Sequence, residues 1–260
     1  MNFMKGVILA GGSGTRLRPL TNVTNKHLLP VYDRPMIYYP IQTLLKAGIK
    51  EIMIVTGGEN IGDFLRLLGS GEKFGAKFTY ACQEGSGGIP VALNIAREFV
   101  DDKCVVILGD NVTDIDLTEH VKNFEKSKIG AQILLKPVED PERFGIADIK
   151  ERKIIAVVEK PKNPPTNLAI IGIYMFDKKA FDIVPTLNPS ARGELEITDV
   201  IRAYLENDDI SYAVVDGFWI DAGTFDSLLE ANRIVAERMK KAPQSAPPKK
   251  SKRNTSKEGI

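Results

Sequence analysis

The chain has 260 residues, 43% of them hydrophobic, and a formal net charge of +1. This composition suits one sizeable globular domain, and the near-zero charge gives no reason to expect nucleic acid as a partner. Its two cysteines, Cys82 and Cys104, exclude a disulfide framework and favour a reduced, cytoplasmic setting. We expect both thiols to be buried as small apolar groups. No apolar run is long enough to span a bilayer, so we expect no membrane partner.

The first half of the chain alternates between short apolar strands and helices. Strands that are apolar throughout are typical of a parallel sheet buried on both faces. The alternation predicts an α/β fold with a mostly parallel, Rossmann-like sheet and helices on both faces. In chain order we predict a strand at 6–10, a helix within 35–48 in which Pro40 imposes a late start or a kink, a strand at 51–55, a helix at 61–68, a strand at 78–82, a helix at 92–99 and a strand at 105–108.

The alternation of strands and helices ends after Gly130, where strand-like segments follow one another closely. This spacing predicts a mixed or antiparallel extension of the sheet. We predict strands at 131–136, 146–149, 154–158 and 168–176, helices at 179–184 and 196–206, a last strand at 212–215 that leads to Trp219-Ile220-Asp221, and a closing helix at 228–239. From 242 to 260 the composition becomes polar, basic and proline-rich, which predicts a disordered basic tail.

A glycine-rich loop follows the first strand directly. Glycines bring backbone N–H groups close to a ligand, and a hydroxyl and a guanidinium beside them suit a triphosphate. A dinucleotide-binding loop would have its third glycine at Leu17, and a P-loop would have Gly-Lys-Ser/Thr where this chain has Gly14-Thr15-Arg16. The loop therefore predicts a triphosphate site of another kind, formed by Gly11, Gly12, Ser13, Gly14, Thr15 and Arg16.

Long, ordered motifs from residue 5 to about 239 carry a family resemblance. Leu9 to Thr21 resembles the signature of the sugar nucleotidyltransferases, and Lys26 with the Leu-Leu-Pro-Val that follows is similar to that family's next element. Residues 32–40 are closest to the family's thymidylyltransferase branch. Further matching segments are Leu108-Gly109-Asp110-Asn111, 140–145, Glu159-Lys160-Pro161, 190–199 and 219–224.

The resemblance implies an architecture and a reaction. A nucleotide-binding core of about 1–128 and a sugar-binding part of about 129–241 would form one nucleotidyltransferase domain. The enzyme would use dTTP and glucose 1-phosphate to make dTDP-glucose and pyrophosphate with Mg²⁺ as cofactor. It would be a homo-oligomer, a tetramer or a dimer. Its product would feed deoxysugar synthesis, including that of rhamnose, for polysaccharides.

The resemblance also implies a role for each matching residue. Arg16, Lys26 and Lys160 would be catalytic, because they offset phosphate charge. Asp110 and Asp221 would bind Mg²⁺, which suits two carboxylates that share the ion with phosphate oxygens and water. The nucleotide would be bound by the glycine-rich loop with Gln83, Gly88 and Asp110. The sugar phosphate would be bound by Gly145, Glu159, Lys160, Gly172 and Arg192.

Two features leave the substrates open. The amide of Gln83 offers a donor and an acceptor to the O4 and N3–H edge of thymine, but uracil presents the same edge. His27 stands where the family usually has Gln, and residues 88–92 read Gly-Ile-Pro-Val-Ala instead of Gly-Leu-Ala-Gln-Ala. The alternatives are UTP in place of dTTP, another hexose 1-phosphate, or a catalytically silent, nucleotide-sensing relative. His27 itself fits a packed or surface position as well as a site role.

Overall fold

The structure is a computed structural model that describes residues 4–241, so the predicted tail at 242–260 lies outside the described residues. The first half carries the expected strands and a helix near each expected one. Its elements are β1 Lys5–Ala10, β2 Pro30–Val31, β3 Arg34–Pro35, α1 Tyr38–Lys46, β4 Glu51–Gly57, α2 Ile61–Leu68, β5 Lys77–Gln83, α3 Ile89–Asn94, β6 Lys103–Leu108, β7 Asn111–Thr113 and α4 Thr118–Lys126. Four of these elements were not predicted, namely β2, β3, β7 and α4.

The second half begins with four strands and ends on the longest helix of the described chain. Its elements are β8 Ala131–Pro137, β9 Gly145–Lys150, β10 Lys153–Glu159, β11 Leu168–Asp177, α5 Lys179–Ile183, α6 Ile197–Glu206, β12 Ile210–Val214, β13 Trp219–Asp221 and α7 Phe225–Lys241. No helix within 4–241 combines the length and the apolar character that crossing a bilayer requires.

Nine strands form one mixed sheet. Its parallel part runs in the order β6, β1, β4 and β5. Strand β11 joins this part to the rest, because it pairs antiparallel with β6 and also with β8 and β9. Strand β10 forms a hairpin with β9, and β12 adds in parallel to β8. The predicted α/β fold with a mixed extension is confirmed, and residues on both sides of 128 contribute to the same sheet.

The central strands are buried on both faces, as their composition predicts. Val7 and Leu9 of β1 pack into one apolar cluster, which α3, α5 and α6 cover. Ile8 and Ala10 alternate to the opposite face, which α1, α2 and α4 cover. Helix α7 covers a third cluster that includes Val31 of β2. The sheet is therefore a rigid platform, and polar groups at its strand ends are the ones free to meet a ligand.

Two prolines set where helices begin. Helix α1 starts only at Tyr38, so Pro40 lies in its first turn, where the missing N–H has no intrahelical partner to lose. Helix α3 begins at Ile89 and ends at Asn94, whereas the sequence predicted a helix at 92–99. Pro90 occupies its first turn and favours the early start.

Two further expectations were wrong or incomplete. Helix α4 was not predicted, because its two buried apolar residues, Val121 and Phe124, are too few for a clear helical period.

The two cysteines differ in burial. Cys104 is buried, and burial raises the pKa of its thiol to about 12. Cys82 is exposed instead, because β5 is the last strand at its end of the sheet order.

Phe176 of β11 offers a test of the packing. Its ring is fully buried between Tyr174 and Tyr204, with ring centroids 5.9 and 5.8 Å away. We expect Phe176→Ala to lower the free energy of unfolding by about 3–5 kcal/mol, since it removes buried area and leaves a cavity. Urea denaturation measures this change. Phe225→Ala is the matched control, because Phe225 is 47% exposed and its loss should cost less than about 1 kcal/mol. Equal unfolding midpoints for the two variants would contradict this account.

Candidate active site

A cavity of about 380 Å³ opens where β1, β5 and β6 end. Ligand sites in sheets of this kind lie beyond the carboxyl ends of the parallel strands. Most of the predicted site residues line it, namely Gly11, Gly12, Arg16, Lys26, Gln83, Gly88, Asp110, Gly145, Glu159, Lys160, Gly172 and Asp221. The predicted residues outside its wall are Ser13, Gly14, Thr15 and Arg192.

Two carboxylates lie side by side at the base of this cavity. Asp110 directly precedes β7, and Asp221 ends β13, which pairs antiparallel with β7 so that Asp221 faces Asn111. The backbone N–H of Ala222 donates to the carbonyl oxygen of Asp110 at 2.9 Å. Farther along the ladder, the indole N–H of Trp219 donates to the side-chain oxygen of Asn111 at 2.6 Å. A two-stranded ladder between distant parts of the chain therefore sets the position of both carboxylates.

Positive groups compensate this pair. The Lys26 ammonium lies 2.5 Å from Oδ2 of Asp110, and both side chains are nearly buried. The Arg16 guanidinium lies against Gly223, where an added Cβ would be 2.9 Å from its Nη2. Burial alone would raise the pKa of Asp110, but Lys26 together with the neighbouring His27 and Asn111 holds that pKa well below the usual range. Burial and the charge of Asp110 raise the pKa of Asp221, and Lys26 and Arg16 only partly offset this rise.

His27 is buried beside this pair and remains uncharged. Its backbone N–H donates to the side-chain oxygen of Asn25 at 2.9 Å, and its Nδ1 lies 2.7 Å from the same oxygen. The Asn25 amide nitrogen lies within 3.3 Å of the carbonyl oxygen of Ala10, which leaves the oxygen as acceptor and makes Nδ1 the protonated ring nitrogen. Burial, aided by the charge of Lys26, lowers the pKa of His27 to about 3.

The opposite wall of the cavity is built around Glu159 at the end of β10. Its Oε1 accepts a hydrogen bond from Nη2 of Arg192 at 3.1 Å, and its Oε2 accepts one from the Thr198 hydroxyl at 3.2 Å. The Lys160 ammonium is 3.5 Å from Oε1. Lys160 has a φ of 41°, a left-handed conformation that is rare outside glycine. Its backbone N–H donates to Phe144 at 3.0 Å, which helps to hold this strained residue at the wall.

Arg192 is held by carboxylates rather than aimed into the cavity. Its Nη2 donates to Oε2 of Glu196 at 2.6 Å, in addition to the bond to Glu159. The Ser190 hydroxyl also donates to Glu196, at 2.6 Å. Burial alone would raise the pKa of Glu196, but Ser190 and Arg192 together lower it.

The loop after β5 closes against the loop that carries Arg192. Gly88 has a φ of 87°, and an added Cβ would collide with the carbonyl oxygen of Leu195. The backbone N–H of Leu195 donates to the carbonyl oxygen of Gly87 at 3.0 Å. The predicted nucleotide side and the predicted sugar-phosphate side are thus in direct contact.

Sequence reasoning missed several groups at this site. Asn111, Thr198 and Trp219 line the cavity. Asn111 donates to Oδ1 of Asp110 at 3.3 Å and accepts from Trp219, and Thr198 donates to Glu159. Asn111 is adjacent to Asp110. Trp219 lies two residues before Asp221, so strand alternation puts Trp219 and Asp221 on the same face. That spacing could have identified Trp219, the only tryptophan of the chain. Thr198 gives no such signal, because its partner Glu159 lies 39 residues away.

Comparisons with known proteins identify the family and the fold of this chain. A family model described as nucleotidyl transferase matches residues 5–238. Glucose-1-phosphate thymidylyltransferase of Neisseria meningitidis serogroup A is 44% identical over 237 residues, which cover 89% of this chain and 82% of that protein. A candidate glucose-1-phosphate thymidylyltransferase from Bacillus anthracis, solved in complex with sucrose, is 51% identical with a TM-score of 0.85 and covers 89% of this chain and 94% of that one. UDP-glucose pyrophosphorylase, solved with UDP-glucose, shares the fold at 24% identity and a TM-score of 0.81, over 91% of this chain and 99% of that one.

The neutral state of His27 predicts a pH dependence of stability. The unfolded chain takes up a proton on this ring near pH 6.5 and the folded protein only near pH 3, so stability present above pH 6.5 is lost as the pH falls between these values. We expect His27→Gln to flatten the decline in the free energy of unfolding by about 1 kcal/mol per pH unit between pH 6 and 4. Denaturant titrations across this range measure it.

His120→Gln is the matched control for this experiment. It removes the other histidine of the chain from helix α4 and leaves His27 in place, so the wild-type decline should remain. The same decline in His27→Gln and in the wild-type protein would show that His27 is not buried in its neutral form.

Proposed function

This chain belongs to the nucleotidyl transferase family, and we propose that it transfers a thymidylyl group from dTTP to glucose 1-phosphate, giving dTDP-glucose and pyrophosphate. One observation carries the proposal. A single cavity brings together the glycine-rich loop, Gln83, a pair of carboxylates with two cations, and the Glu159–Lys160 corner. Relatives that carry the name of this activity are 40–44% identical over about nine tenths of the chain.

The reaction is a single in-line displacement at the α-phosphorus. An oxygen of glucose 1-phosphate forms the new P–O bond, the bond from the α-phosphorus to the bridging oxygen breaks, and pyrophosphate leaves with that electron pair. A phosphate monoester with a second pKa near 6 is largely ionised at pH 7, so the attacking oxygen needs no general base. This explains why a buried and uncharged His27 is compatible with catalysis. The work of the protein is positioning and charge neutralisation.

Two cations would act on the triphosphate and two on the sugar phosphate. Arg16 and Lys26 lie beside the carboxylate pair and would neutralise charge on the triphosphate and on the leaving pyrophosphate. Lys160 and Arg192 lie at the opposite wall or behind it and would hold the sugar phosphate in line. Both are beside Glu159, whose oxygens can accept hydrogen bonds from sugar hydroxyls.

Nucleotidyl transferases generally use a divalent metal, and Mg²⁺ fits the residues present. Asp110 and Asp221 offer hard carboxylate oxygens in one cavity, and burial together with the charge of Asp110 raises the pKa of Asp221. The described residues contain no group of three or more His, Cys, Asp or Glu side chains that could hold a metal ion. Two protein carboxylates suit an ion that takes its other ligands from the substrate and from water. When bound, Mg²⁺ would neutralise phosphate oxygens during the displacement.

The proposal includes the localisation and the oligomeric state of the enzyme. Both cysteines are free, as expected for a reduced, cytoplasmic protein. We place it there as a homo-oligomer, a dimer or a tetramer, and light scattering of the purified protein measures its mass.

A triphosphate panel tests the reaction. Pyrophosphate release is measured with Mg²⁺ and glucose 1-phosphate for dTTP, UTP, CTP, ATP and GTP. We expect fast release with dTTP, and release with UTP that is equal or slower by up to about 200-fold, because a pocket gains about 1–3 kcal/mol from one methyl group. Release only with a purine triphosphate would overturn the assignment of the base. No release with any triphosphate or with other hexose 1-phosphates would favour a silent, nucleotide-sensing relative.

Asp110→Asn tests the role of the carboxylate pair. We expect pyrophosphate release to fall at least about 100-fold, since the variant loses a charged ligand and leaves Lys26 without its partner. Circular dichroism should remain that of a folded protein, because the side chains have the same shape. Asp102→Asn, at an exposed position before β6, is the matched control and should keep full activity. Wild-type turnover in Asp110→Asn would contradict the assignment of Asp110.

A further inference from the structure

The Lys26 ammonium is paired with a carboxylate oxygen of Asp110, which is a proposed metal ligand. The Lys26 ammonium is 2.5 Å from Oδ2 of Asp110, and the two side chains are only 14% and 8% exposed. The other oxygen, Oδ1, accepts a hydrogen bond from the Asn111 amide at 3.3 Å. Both carboxylate oxygens therefore already have donors. A divalent cation that approaches Oδ2 is repelled by this ammonium unless the ammonium moves away.

The neighbouring carboxylate has a backbone donor and a cation close by. Oδ1 of Asp221 accepts the backbone N–H of Gly223 at 2.8 Å, and the Arg16 guanidinium lies against that glycine. Two carboxylates are thus accompanied by two cations of the same chain. The protein supplies its own counter-charge at the place where the metal would otherwise supply it.

We propose that Lys26 is an internal counter-ion that keeps divalent cations off Asp110 in the free enzyme. The inference rests on the proposed metal role of Asp110. The triphosphate gives the ammonium a second anionic partner, and the long flexible lysine side chain can move from the carboxylate to a phosphate oxygen. The vacated carboxylate then accepts the cation. Without the triphosphate this exchange would strand a nearly buried ammonium beside a divalent cation, which is strongly unfavourable.

This exchange makes metal and triphosphate binding cooperative. The triphosphate draws Lys26 away from Asp110, which removes the repulsion that the metal would otherwise meet. By linkage, the metal and the triphosphate each raise the affinity of the other by the same factor. Lys26 would then reach the triphosphate only in the complex that also holds the metal, so that both neutralising charges are present together for the displacement.

The test measures Mn²⁺ binding to the whole protein without any nucleotide. Mn²⁺ takes the same oxygen ligands as Mg²⁺ and its free form is counted by electron paramagnetic resonance. We expect Lys26→Met to bind Mn²⁺ at least tenfold more tightly than the wild-type protein. Lys26→Arg keeps the charge and should remain weak. Lys122→Met removes a lysine from an exposed ion pair with Glu119 and should also remain weak.

A double variant locates the effect. Lys26→Met combined with Asp110→Asn should lose the gain in Mn²⁺ affinity, because the freed carboxylate is no longer there. Lys26→Gln repeats the measurement should Lys26→Met not fold by circular dichroism. Equal Mn²⁺ affinity in the wild-type protein and both neutral variants would overturn the inference, as would a gain that persists in the double variant. The measurement contains no substrate, so its failure is distinct from failure of the triphosphate panel.

Discussion

The arrangement of the site follows from one electrostatic requirement. Asp110 and Asp221 lie together in a partly closed cavity, and like charges in such a place must be compensated by cations and donors. Lys26 and Arg16 provide the compensation, and both come from the segment between β1 and α1. The same cations are the ones that phosphate oxygens would attract. In the proposed mechanism, the free enzyme and the substrate complex therefore differ in which anion each cation faces.

The sheet makes this arrangement rigid. Because β1 and β6 are parallel neighbours, the glycine-rich loop and Asp110 emerge at the same edge. The β7–β13 ladder then adds Asp221 from far along the chain. Helix α7 packs behind the ladder and is tied to the body by two polar contacts, one between Asn232 and the backbone N–H of Tyr32 and one between Arg238 and Asp114. Apolar burial on both faces of the sheet leaves little freedom to the groups at its strand ends.

Much of the fold could be predicted because the signals are local. Apolar runs between glycines and prolines gave the central strands, and the short spacing after Gly130 gave the mixed extension. Helix α4 was missed because a nine-residue helix with two buried side chains has almost no period to detect. The expected burial of Cys82 was wrong, because the residues of a strand do not determine its position in the sheet order.

The sequence by itself determined the chemical groups of this protein: a loop that suits phosphates, two aspartates at strand ends, and lysines and arginines beside them. Only the tertiary structure decided which charges meet. Lys26 pairs with Asp110 across 84 residues, and Arg192 pairs with Glu159 across 33. These pairings depend on strand order and on the β7–β13 ladder. Local sequence patterns carry neither, because contacts between distant segments are settled by packing of the whole sheet.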